Sequence, residues 1–173
     1  MKRTLVALLL IVAASLAWGQ STPYSNKTFS ATFVGPVTES APDRNTQNTS
    51  TSVFYNASVN GVFQTVSMRT VDHDIPVDQS SLDFYATGAA KNGYSEDDRK
   101  NETLQGHIGI YVNQHNGNSR RRVWYVLVDS RHVLALMTEG SANVDDGAVA
   151  AWSTLTESFV LNETTCWLPE GCK

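Results

Sequence analysis

The residues with the best claim to chemistry are Asp72-His73-Asp74, two carboxylates flanking an imidazole. Oxygen and imidazole ligands are what a divalent metal takes. Adjacent side chains on an extended chain point to opposite faces, however, so three in a row converge on one ion only where a loop folds them inward. The triplet is therefore read as a solvated strand exit. Asp72, His73 and Asp74 stay as the metal candidates, and no metal site is assigned. The pairs Asp97-Asp98 and Asp145-Asp146 lack the alternate-position carboxylates and glycine of a calcium loop. The four histidines, His73, His107, His115 and His132, show no paired-ligand spacing. His132 follows a tight turn and is expected to face solvent.

Catalytic patterns are lacking too. The chain has no G-x-S-x-G elbow, no P-loop and no G-x-G-x-x-G. A hydrolase would need a serine, a histidine and an acid brought together from separate loops. No catalytic residue and no cofactor is assigned, and the chain is read as non-enzymatic. Among the aromatic residues, Trp124 is expected in the core and Trp167 at the surface.

The bulk properties narrow the setting. Lys2 and Arg3, the apolar run Leu5 to Ala14 and the small-x-small stretch Ala17-Trp18-Gly19 read as a secretory signal, with cleavage expected between Gly19 and Gln20 and a cut after Ala17 as the alternative. The apolar run is too short for a membrane span, and no later segment approaches one. Without Lys2 and Arg3 the 13 basic residues become 11 against 17 acids, which moves the net charge from −4 to −6. An acidic chain with no basic tract disfavours nucleic acid and anionic membrane surfaces. The one cationic cluster, Arg120-Arg121-Arg122, is read as a solvated strand end. Cys166 and Cys172 are the two cysteines, and in an exported chain they are expected to form a disulfide pinning the tail around Trp167.

The elements that must position these residues follow from hydrophobic period and turn residues. Thr28 to Val34 places Phe29, Ala31 and Phe33 on one face of a strand that Gly35-Pro36 ends. Thr38 to Thr51 is polar and reads as a loop. Val53 to Val59 and Val62 to Val71 form a hairpin on Asn60-Gly61. After a loop through Pro76, Ser80 or Ser81 caps a helix running to about Asn92, with Leu82, Tyr85, Ala86 and Ala89 inward. Tyr94 to Thr103 reads as a charged, mobile loop. Leu104 to Gln114 is a strand carrying Ile108, Ile110 and Val112, and His115 to Asn118 is a turn.

Val123 to Val128 and Val133 to Met137 are apolar without alternation, the pattern of strands covered on both faces. A last helix, about Val144 to Phe159, begins with Asp145 and Asp146 and points Ala148, Val149, Trp152, Leu155 and Phe159 inward. A β-β-α unit is thus used twice. The expectation is an α+β fold, an antiparallel sheet of about six to seven strands with two main helices. The chain divides into a signal (1–19), a short lead (20–27), one domain (28–161) and a tail (162–173).

The two ends of the domain resemble those of small exported PsbP/Mog-like proteins. The likeness lies in Thr28 to Pro36, in Arg122-Val123-Trp124-Tyr125-Val126-Leu127 with His132-Val133-Leu134-Ala135-Leu136, in Glu157-Ser158-Phe159-Val160-Leu161 and in Gly106. Val34 stands where that family has proline, and the Cys166–Cys172 tail is extra. The resemblance implies an α-β-α sandwich and little about function; better-known relatives with this architecture are docking proteins. It carries no site residue across. The functional expectation is an exported module that docks on an envelope or secreted protein through Thr38–Thr51, Tyr94–Thr103 and Trp167. The alternative is a periplasmic small-ligand or metal binder, with Asp72, His73 and Asp74 at the mouth of a cleft between helix and sheet.

Overall fold

The computed structural model describes residues 21–47, 49–88 and 92–162. The signal with its Gly19–Gln20 cleavage point, Cys166, Cys172 and Trp167 lie outside these residues.

Alternation of buried and exposed residues builds the strands. They are β1 (Thr22–Ser25), β2 (Phe29–Phe33), β3 (Thr38–Glu39), β4 (Asp43–Asn45), β5 (Ser50–Val59) and β6 (Val62–Val71). After helix α1 (Gln79–Gly88) come β7 (Ser95–Leu104), β8 (His107–Asn116), β9 (Ser119–Leu127) and β10 (His132–Ser141). A short 3-10 turn leads into helix α2 (Asp145–Ser158) and the two-residue β11 (Val160–Leu161). Eight strands form the main sheet in the order β3-β5-β6-β10-β9-β8-β7, with β4 also on β5, and β1-β2-β11 form a second. The main sheet is antiparallel throughout. The expected α+β class holds, with more strands in the main sheet than the six to seven foreseen.

The sheet is covered on both faces, but unequally. On one side Phe29, Ala31 and Phe33 of β2 and Leu155 of α2 pack with Val53, Tyr55, Val66, Met68, Leu134 and Leu136 in the main core. Gln64, fully buried there, accepts a hydrogen bond from Val34 N–H (2.7 Å) and donates to the Ala151 carbonyl (2.6 Å). On the other side α1 lays Leu82 and Ala86 over Ile110, Val112, Leu127 and Val133. That helix reaches β8 and β9 but leaves the β5–β6 half of its face open.

Asn60 and Gly61 both adopt positive φ (50° and 79°), the conformation a type I′ hairpin demands. Several expectations need correction. Tyr94–Thr103 is not a mobile loop, since β7 occupies most of it as an edge strand paired along β8. Only Leu104 of β7 is buried, so the strand carries none of the usual apolar signal, while its charges discourage edge-to-edge association. Thr38–Thr51 likewise contains β3, β4 and the start of β5. Helix α1 starts at Gln79, earlier than expected. Asp78, rather than Ser80 or Ser81, caps it by accepting from Ser81 N–H at 3.0 Å and Ser80 Oγ at 2.7 Å. Val149 of α2 is 43% exposed, because Ala148, Ala151 and Leu155 face the sheet instead.

Candidate ligand cleft beneath the first helix

Where α1 stops short of β5 and β6, a cleft of about 350 Å3 opens. Its floor is Ser50 of β5 with Arg69 and Val71 of β6, and Gln47 and Thr49 form one rim. The segment His73, Ile75 and Pro76 forms a wall, while Ser81, Phe84 and Tyr85 of α1 form the roof. Backbone bonds hold the wall in place: Asp72 N–H donates to the Thr49 carbonyl (2.9 Å) and Ile75 N–H to that of Ser130 (2.8 Å).

The Asp72-His73-Asp74 triplet does not converge. Asp72 turns to β4, where it takes a two-pronged ion pair from Arg44. The Arg44 hydrogen bond holds the Asp72 carboxyl below the usual carboxylate range, against its partial desolvation. Asp74 faces the β9–β10 turn, accepting from Ser130 Oγ at 3.2 Å with Arg131 at 3.9 Å. His73 alone enters the cleft, its Nδ1 3.4 Å from Thr49 Oγ1. Among the described residues no three His, Cys, Asp or Glu side chains are grouped to hold a metal ion. Of the three residues that the alternative reading sets at a cleft mouth, His73 lines this cleft, while Asp72 and Asp74 do not.

Arg69 and Tyr85 give the cleft its character. Arg69 is the only charged residue in β6 and faces the helix, opposite the core-facing Val66 and Met68. Its Nε donates to Ser52 Oγ at 3.2 Å, and its guanidinium carbon lies 5.8 Å from the Tyr85 ring centre. Burial pushes the Tyr85 hydroxyl pKa up, and the Arg69 charge partly offsets that rise. Tyr85 stacks in turn near Tyr125 (6.5 Å) and meets Phe84 edge-on (5.7 Å). Phe84 is 70% exposed at the rim. Tyr85 falls in the buried stripe that the helical period predicts, whereas Arg69 and Phe84 belong to no predicted site. The available signal was an arginine at a helix-facing position of an otherwise uncharged strand.

The remaining candidates are structural. Arg122 pairs with Asp145 (2.9 Å), fastening β9 to the start of α2. Arg121 lies 3.6 Å over the Tyr94 ring and donates to Gln114 Oε1 at 2.7 Å. The Arg120–Arg122 run is thus anchored rather than a solvated strand end. His132 does not face solvent as expected. Its side chain is 17% exposed, and its Nδ1 lies 2.8 Å from Asp129 within the β9–β10 turn. Asp97 pairs with His115 at 2.7 Å. Trp124 packs against the main core, with its indole nitrogen buried beside Gly109 and without a hydrogen-bond partner among the described residues.

No family model matches the chain, and no curated protein matches it. Among solved structures, it is similar to that of LpqN, involved in cell envelope biogenesis of Mycobacterium tuberculosis. The match covers 83% of this chain and 91% of that one, at 18% identity and a TM-score of 0.47. Among the described residues no helix is long and apolar enough to cross a membrane.

Proposed function

We propose that the protein is an exported, non-enzymatic binding module that takes a small organic ligand in the cleft beneath α1. One observation carries this reading. The fold leaves a concave, mainly apolar space between helix and sheet, into which a few polar groups converge. Its volume falls at the lower end of ordinary ligand pockets, ~300–1,000 Å3. The N-terminal pattern of Lys2-Arg3, Leu5–Ala14 and Ala17-Trp18-Gly19 supports export. Helices on opposite faces of an antiparallel sheet suit the PsbP/Mog-like resemblance, whose segments fall in β2, β9 and β10.

The test is an amide-resolved NMR titration of the protein with a fragment set. Shifts concentrated at Val71, His73, Ile75, Ser81 and Tyr85 are expected. Hits that map to another surface, or a set with no hits at all, would remove the cleft as the binding site.

Protein docking is the second reading, favoured by the exposure of Phe84 (70%) and Val77 (50%). A photocrosslinking residue at Phe84 that captured one stoichiometric envelope protein in cells, in competition with the fragment hits, would favour it.

A further inference from the structure

We infer that the ligand of this cleft is a small amphipathic carboxylate, its charged head on Arg69 and its apolar body under Phe84 and Ile75. The inference rests on the small-ligand reading above and names the ligand's class. It starts from a charge without a counter-ion. Among the described residues Arg44, Arg99, Arg122 and Arg131 have carboxylate partners, while Arg120 and Arg121, which have none, lie at the far end of β9 away from the cleft. Arg69 has none among the described residues, although it is part-buried in a mainly apolar cleft. The acids nearest in sequence to the cleft walls are turned elsewhere, Asp74 among them, which faces Ser130 Oγ (3.2 Å) and Arg131 (3.9 Å). Asp72 is held by Arg44, Asp78 caps α1 and Asp83 pairs with Arg99.

The partners this guanidinium has are neutral: Ser52 Oγ at 3.2 Å and the Tyr85 side chain, whose ring centre lies 5.8 Å away, so its charge is met by dipoles and not by an opposite charge. An incoming carboxylate meets the planar, multi-donor geometry of the guanidinium and neutralises it. A phosphate dianion fits less well, because one arginine and a largely apolar lining leave most of its oxygens without donors. The room available, 350 Å3, is that of about a dozen waters at ~30 Å3 each, enough for a small organic body. Binding would cover Phe84, which the fold otherwise leaves in water.

The experiment is isothermal titration of the purified full-length protein with decanoate, decanol, 2-naphthoate and 2-naphthol, all below micellar concentrations. Each carboxylate is expected to bind at least tenfold more tightly than its matched alcohol. Arg69→Gln should abolish that difference while leaving alcohol binding in place. Phe84→Asp changes an exposed position, so folding is preserved even if Arg69→Gln fails to fold. It should weaken the carboxylates more than the alcohols. Equal affinity for acid and alcohol in the unmodified protein overturns the carboxylate inference and leaves the cleft reading standing. No heat from any of the four, with no cleft shifts in the fragment titration, removes both.

Discussion

Replacing Gln64 by leucine should cost more than any other single change of similar size in the main core. The Gln64 amide is fully buried and joins three elements: it sits on β6, accepts from Val34 N–H just beyond β2, and donates to Ala151 of α2. Leucine keeps the volume but makes neither bond. Two lost bonds are worth about 2 kcal/mol net, and the stranded Val34 N–H adds roughly 1–3 kcal/mol. The Ala151 carbonyl keeps its place in the helical ladder, so it adds little. Better burial of the apolar side chain returns about a third of the loss, which leaves about 3 kcal/mol. For a chain of this length that corresponds to a fall in Tm of about 6–12 °C.

The assay is thermal unfolding followed by circular dichroism, with Phe63→Ser as a control at the neighbouring exposed position. Gln64→Glu supplies a sign. Its carboxyl, facing the Ala151 carbonyl, is protonated more readily in the folded state than in the unfolded one. Its stabilising contact is therefore present below the unfolded pKa of ~4.3 and lost as pH rises through the folded value. A Gln64→Leu shift below 2 °C, or a Gln64→Glu variant indifferent to pH, would refute the clamp.

Three further outcomes are expected. A Cβ on Gly109 would lie 2.7 Å from both the Glu102 carbonyl and Trp124 Nε1, so Gly109→Ala should destabilise by about 1–3 kcal/mol in urea unfolding. Burial alone would raise the Asp129 carboxyl, but hydrogen bonds from Arg131 N–H and His132 hold it below its usual range. Its stabilisation is present above the unfolded carboxylate pKa and lost as pH falls through the folded one, so Asp129→Asn should flatten the acid limb of a Tm–pH profile. Titration with Zn2+ or Ca2+ should give no heat assignable to Asp72, His73 and Asp74, which point three ways; heat abolished by His73→Ala would contradict that geometry.

What the sequence disclosed depended on how each segment is solvated. β9 and β10 read as doubly covered strands because the main core and α1 press on alternate residues: Val126 and Leu134 on one side, Leu127 and Val133 on the other. The Asn60-Gly61 turn was legible because few other residues adopt two successive positive φ angles. β7 was illegible because an edge strand with water on nearly every side chain has no reason to alternate. Its remaining signal was the Gln105-Gly106 turn, where both φ are positive. The cleft was half legible. Its wall falls in the loop that Pro76 marks, but the space itself exists only because α1 covers β8 and β9 and not β5. Coverage of that kind is a tertiary fact that no local pattern encodes.

That asymmetry bears on how the cleft is kept open. On the opposite face the β2 strand fills the space above β5, so a helix and a second sheet share the cover. Among the described residues α1 is the one helix on this face, and at ten residues it is too short to persist without its contacts. Leu82 and Ala86 hold it from below, and Arg99 of β7 holds it from the side, donating to Asp83 at 2.7 Å and to Glu96 at 2.5 Å. These charges are substantially exposed, so Arg99→Gln should cost less than about 1 kcal/mol of global stability. Its effect should be local. Amide exchange across Leu82–Gly88 should quicken several-fold, and any cleft ligand should dissociate faster, while exchange in β6 and β10 stays unchanged. If α1 amides exchange at the unmodified rate, the roof depends on its apolar contacts alone and Arg99 serves only the β7 edge.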